Sequence, residues 1–119
     1  MTMDPGEIAE WGEFAIEHGW EVVTHGPELL EQVGRVTAEE MTPTGIHWTF
    51  SPVLCLSRDL RWGRSYEGFA QDPALVREYA RAAVEGLQGQ PQTTGKLQAG
   101  RIAATAKHFL GDGGTFDGV

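Results

Sequence analysis

The chain has 119 residues, 40% of them hydrophobic, with a formal net charge of −8 at pH 7. That size suits one small domain and falls short of a complete eight-stranded βα barrel, which takes about 250 residues, while the hydrophobic share supports a core rather than wholesale disorder. The acidic balance disfavours nucleic acid and anionic membranes as partners, since both need clustered Lys and Arg, and no apolar run is long enough to span a bilayer.

Pro5 to His18 reads as a short helix, with Ile8, Trp11 and Phe14 or Ala15 at helical spacing and Asp4-Pro5 at its start. Gly19 ends it, and Trp20 to Thr24 forms a short extended link. A second helix is predicted over Pro27 to Met41. Pro27 stands where a missing N–H costs nothing, Glu28 and Glu31 favour the dipole, and Leu29, Leu30, Val33, Val36 and Met41 define one face. Pro43 and Gly45 stop it.

Ile46 to Phe50 alternates as a strand, with Ile46, Trp48 and Phe50 on one side, and Trp48 and Phe50 are expected in the core. Pro52 breaks it, and a mixed loop runs from Val53 to Gln71. Asp72-Pro73 caps and opens a third helix, whose buried face is Leu75, Val76, Tyr79, Ala83 and Leu87. Gly89 ends that helix, and Gln90 to Gly100 is a polar connector. Ile102 to Phe109, small or apolar on both sides, reads as a parallel strand covered on both faces. The order describes an α/β fold: a βαβ unit with preceding helices.

Two segments carry the chemistry. Arg-Trp-Gly-Arg-Ser-Tyr-Glu (Arg61 to Glu67) follows the first strand, and Ala-Lys-His-Phe-Leu-Gly-Asp-Gly-Gly-Thr (Ala106 to Thr115) closes the second. Parallel strands bring Arg64, Lys107 and His108 to one rim. Three converging donors suit a sugar ring, which presents several hydroxyls at once. Neutral sugars also ask for hydrogen bonds rather than net charge. Gly111, Gly113, Gly114 and Gly118 mark a shaped loop with unusual backbone angles or a close ligand approach, and Asp112 and Asp117 read as its turn residues.

The two segments resemble the sugar-binding loops of glycoside hydrolase family 3, in its β-glucosidase and exo-glucanase branch. The resemblance covers 23–119 and leaves 1–22 as an unmatched helical segment. It implies a partial (β/α)8 TIM-type barrel and a subsite in which Arg64, Lys107 and His108 hold the non-reducing terminal sugar of a β-glucoside or β-glucan oligosaccharide. It implies no metal and no organic cofactor, and it suggests a periplasmic or secreted setting. Relatives acting on N-acetylglucosamine continue Lys-His-Phe with Pro-Gly-His, whereas Leu110-Gly111-Asp112-Gly113-Gly114 follows here. Leu60 and Gln71 depart from the family's usual proline and glutamate.

A retaining glycosidase needs two carboxyl groups about 5 Å apart. The resemblance sets the nucleophile and the acid/base beyond Val119, and Asp59, Glu67, Asp112 and Asp117 match neither. The chain alone is therefore expected to be a fragment without turnover. A non-catalytic carbohydrate-binding module and a remnant are the alternatives, and self-association through open barrel edges is expected.

Blander readings stand beside these. Arg58, Asp59, Arg61, Arg64 and Glu67 also suit a surface ion network, and Trp62 suits packing as well as sugar stacking. His18, His25 and His47 show no metal-ligand spacing. Cys55, the only cysteine, excludes an intramolecular disulfide and a cysteine-based zinc site, and reads as a small buried apolar residue. Met1 to Glu13 is acidic and lacks the pattern of a signal peptide, leaving the compartment open.

Overall fold

The computed structural model describes residues 26–119. The helix expected over Pro5 to His18 and the link after it lie outside the described residues. Helix α1 spans Pro27–Met41 and helix α2 spans Pro73–Gln88. Both begin at the prolines that announced them. Asp72 caps α2 by accepting a 2.7 Å hydrogen bond from the Ala74 N–H, satisfying a donor that the helix itself cannot. At the other end Gly89, with φ of 74°, donates its N–H to the Glu85 carbonyl. Helix α1 runs into a 3₁₀ turn at Thr42–Thr44 and stops at Gly45, whose φ of 83° is left-handed.

The two helices pack together, and the contact stripe on α1 is Leu30, Gly34 and Ala38. Leu30 joins Tyr79, Ala82 and Ala83 in one cluster, with Phe69 and Leu75 packed against it. Ala38 joins Leu87 and the fully buried Ile102 in another. Val33 and Val36, expected on the buried face, are 44% and 48% exposed. Their displacement has a steric cause. Gly34 sits against the backbone of Gly86 and Leu87, so α1 turns its smallest residues, not its valines, towards α2.

Among the described residues the predicted strands form two extended segments joined by isolated parallel bridges, Trp48 with Ala103 and Val53 with Lys107. Ala103 N–H donates to the His47 carbonyl, and Thr49 N–H donates back to the Ala103 carbonyl, both at 2.9 Å. Further along, Thr105 and Lys107 donate to Ser51 and Pro52, and Leu54 donates to Lys107. Between the two bridges five steps on the first segment match four on the second, so the pairing slips by one residue. Proline, at position 52, has no N–H to give the ladder. Helix α2 is tied to the second segment: Ile102 N–H donates to the Leu87 carbonyl, Ala104 N–H to Gln88 Oε1, and Arg101 to the Gly86 carbonyl. The order is extended segment, helix, extended segment, and the two extended segments run parallel where the bridges join them.

Two further expectations need correction. Trp48 and Phe50 are 58% and 65% exposed rather than in the core. Their alternation puts both rings on one side, where they meet edge to face at 4.7 Å, and no described element covers that side. Phe109 is 97% exposed and belongs to the turn after Lys107 and His108, not to a doubly covered strand.

Candidate functional site

The paired segments end together at Cys55 and at Lys107-His108. A cleft of about 500 Å³ opens there, lined by Cys55, Arg58, Lys107, His108, Asp112 and the glycine loop among others. The loop lies close over the first segment because Gly113 packs on the Leu56 carbonyl, where a Cβ would collide. Gly111 (φ 77°) supplies the turn, with Gly114 N–H donating to its carbonyl. The short approach and the positive φ match the shaped loop that the glycines predicted.

Two of the three predicted donors meet directly. Arg64 Nη2 lies 3.0 Å from His108 Nε2. Glu67 holds the same guanidinium from its other edge, at 2.7 and 2.9 Å, a fork-to-carboxylate pairing that fixes its plane. This pairing holds the Glu67 carboxyl below the ordinary carboxylate range, and Glu67 in turn raises Arg64. His108 Nδ1 lies 2.9 Å from Asp112 Oδ2. Arginine has no acceptor to offer, so His108 Nε2 accepts from Arg64, and the neutral ring carries its proton on Nδ1 and donates it to Asp112. Glu67, Arg64, His108 and Asp112 thus form one continuous chain. Lys107 lines the cleft beside them. Among the described residues no side-chain hydrogen bond or ion pair engages its ammonium, though its charge helps to lower Glu67.

Four of the five residues read from the sequence as an ion network are paired, in two halves, whereas Arg58 makes no ion pair among the described residues. Arg61 chelates Asp59 at 2.7 to 3.2 Å and reaches Asp117 at 2.7 Å. The hydrogen bonds from Arg61 take Asp59 down from 3.8 to about 2. Arg64 and Glu67 form the other half, facing His108.

Asp112 and Cys55 were not singled out by sequence reasoning as site residues. Asp112 is more than a turn residue: it stands four positions after His108 and its carboxylate accepts the hydrogen bond from the ring Nδ1–H. Cys55 is buried as expected, but its Sγ lies 3.6 Å from His108 Nδ1 and 3.7 Å from Asp112 Oδ2. The i, i+4 spacing of His108 and Asp112 was the available signal for one. For Cys55 there was none, because the contact depends on the pairing of segments some fifty positions apart.

A model of the glycosyl hydrolase family 3 N terminal domain matches residues 14–118. The chain is 40% identical over 89 residues to a beta-xylosidase of Formosa agariphila and 36% identical over 89 residues to a lysosomal beta glucosidase of Dictyostelium discoideum; each alignment covers 74% of this chain and 12% or 11% of the relative. Among solved structures, the exo-1,3/1,4-beta-glucanase of a Pseudoalteromonas species superposes with a TM-score of 0.76 at 44% identity, over 82% of this chain and 12% of that one. The beta-glucosidase of Listeria innocua superposes with a TM-score of 0.69 at 38% identity, over 76% of this chain and 12% of that one. The chain therefore spans about an eighth or less of the length of these proteins, and it belongs to the glycosyl hydrolase family 3 N terminal domain family.

Proposed function

We propose that this chain is a slice of the (β/α)8 barrel of a retaining β-glucosidase-like hydrolase, in which Arg64, Lys107 and His108 hold the terminal β-linked glucose. What carries the reading is the meeting of Arg64 and His108 at 3.0 Å beside the cleft that His108 and Lys107 line. Barrels of this type bind ligands at the carboxyl ends of their strands. Here the donors follow the ends of two parallel segments. The Lys107 ammonium and Arg64 Nη1 are left to grip hydroxyls from different directions, while the His108 ring, engaged at its two nitrogens by Arg64 and Asp112, takes a hydroxyl by exchanging one of those contacts; grips that tighten as the sugar distorts lower the barrier.

The carboxylates support the second half of the proposal, that this chain alone does not turn over substrate. A glycosidase acid needs a raised pKa. Asp59 and Glu67 are shifted the other way by their arginines, and Asp112 and Asp117 are paired with His108 and Arg61.

The test is a thermal melt of the chain, followed by tryptophan fluorescence, with and without glucose. At ten times its Kd, glucose adds about 1.4 kcal/mol of stability, which raises the midpoint of a domain this small by several degrees. The rise is expected to vanish in Lys107→Ala. A cooperative melt indifferent to glucose overturns the subsite, and release of an aryl aglycone above the Lys107→Ala level overturns the inactivity. Because the Formosa relative is a beta-xylosidase, xylose is tested in parallel, and a larger shift with xylose moves the substrate class to β-xylosides.

A further inference from the structure

We propose that Cys55, His108 and Asp112 form a binding site for a zinc ion at the inner end of the cleft. Their Sγ, Nδ1 and Oδ2 atoms all lie within 4.8 Å of one another. The separations are 3.6 Å from sulfur to nitrogen, 3.7 Å from sulfur to oxygen and 2.9 Å from nitrogen to oxygen. Ordinary zinc bond lengths at tetrahedral angles give edges of about 3.4 to 3.6 Å. Two edges already fit. The third is short because a hydrogen bond occupies it, and that bond is lost when zinc replaces the proton. A lone cysteine spoke against such a site in the sequence; the pairing of the two segments supplies the other two ligands.

The donor set selects the metal. A thiolate, an imidazole and a carboxylate suit zinc, whereas calcium and magnesium ask for oxygen alone. Thiolate and carboxylate together neutralise the two charges of the ion. Arg64 is held by Glu67, but its Nη1 also lies 4.0 Å from Asp112 Oδ2, so it competes with the ion for that carboxylate. Cys55 is 6% exposed, which shields the bond to sulfur, while His108 and Asp112 keep side-chain exposures of 29% and 35% and leave an approach from the cleft. Three protein ligands leave the fourth position to water, as in open zinc sites.

Binding releases one proton and moves another. Cys55 S–H, now directed at Asp112, loses its proton to solvent. His108 gives Nδ1 to the metal, and its single proton moves to Nε2. There it faces Arg64 Nη2, also a donor, so the 3.0 Å contact must open while Arg64 stays on Glu67. Arg64 therefore weakens metal binding without touching the metal. The inference stands apart from the sugar reading, although zinc on His108 would exclude a sugar held by the same ring.

Zinc is titrated calorimetrically into the 119-residue chain, and Co²⁺ is titrated in parallel for its thiolate charge-transfer absorption. One Zn²⁺ per chain and a near-ultraviolet cobalt band are expected. Cys55→Ser should lose the band and bind about tenfold or more weakly. Arg64→Gln, whose side-chain oxygen can accept from Nε2–H, should bind zinc about tenfold more tightly. Asp112→Asn serves in place of Cys55→Ser if the serine variant loses its helical circular dichroism, with a similar loss expected. Absence of the cobalt band, or wild-type affinity in the cysteine variant, overturns the site. Unchanged or weaker binding in Arg64→Gln overturns His108 Nδ1 as a ligand.

Discussion

Arg64 Nη2 donates to His108 Nε2 across 3.0 Å, so an arginine decides which nitrogen of a histidine holds the proton. The neutral ring is expected as the Nδ1–H tautomer, with Asp112 accepting. Nitrogen NMR of the ring checks this directly: in the neutral form Nδ1 should appear protonated and Nε2 bare. Arg64→Gln should release the lock and raise the share of Nε2–H. A wild-type ring already protonated at Nε2 contradicts the arrangement.

Gly34 and Gly86 bring the helices into backbone contact. A Cβ on Gly86 would collide with the Glu31 carbonyl oxygen, and one on Gly34 would stand 3.0 Å from Gly86 Cα. Alanine is worth about 1 kcal/mol over glycine inside a helix, so the two effects oppose each other. Backbone has nowhere to yield, so the collision should win. Gly86→Ala is expected to lose about 1–3 kcal/mol net, read as a lower urea midpoint, with Gly34→Ala losing less. A higher midpoint for Gly86→Ala would show that the helices do not cross here.

These glycines also mark where the sequence stopped being legible. Helix ends depend on local chemistry, and Pro27, Asp72-Pro73 and Gly89 gave them away. The buried stripe of α1 does not depend on local chemistry. Its apolar residues pointed to Val33 and Val36, but the contact is set by a glycine on another helix. The same holds at the site. Arg64, Lys107 and His108 could be singled out because each sits in a segment with its own signature. Their order of contact, with Glu67 behind Arg64 and Asp112 behind His108, comes from the pairing of two segments. Strand alternation showed that Trp48 and Phe50 share a side, yet period two says nothing about what covers that side.

On that uncovered side Ile46, Trp48 and Phe50 present three large apolar side chains, at 46%, 58% and 65% exposure. Trp48 is held by its indole N–H on Thr105 Oγ1 at 2.6 Å, so the ring cannot fold away without losing that bond. Clustered apolar exposure favours association. Sedimentation equilibrium should show self-association that grows with concentration, and Phe50→Ser should reduce it. A wild-type chain that stays monomeric at the highest concentration reached would contradict the expectation.

Acid should weaken the fold through its arginine-bound carboxylates. Arg61 lowers Asp59 to about 2, Arg64 lowers Glu67, and Arg81 lowers Glu85. A depressed folded pKa means that the unfolded chain takes up the proton first. The stabilisation is therefore complete above the unfolded values near 4 and is lost as pH falls through the folded ones. Urea midpoints should be level above about pH 5 and decline towards pH 2, less steeply in high salt because these pairs are screened. Asp59→Asn should be less stable than wild type at about pH 6, and the gap should close as pH approaches about 2. A gap of constant size across that range would mean that Asp59 acts through shape rather than through its charge on Arg61.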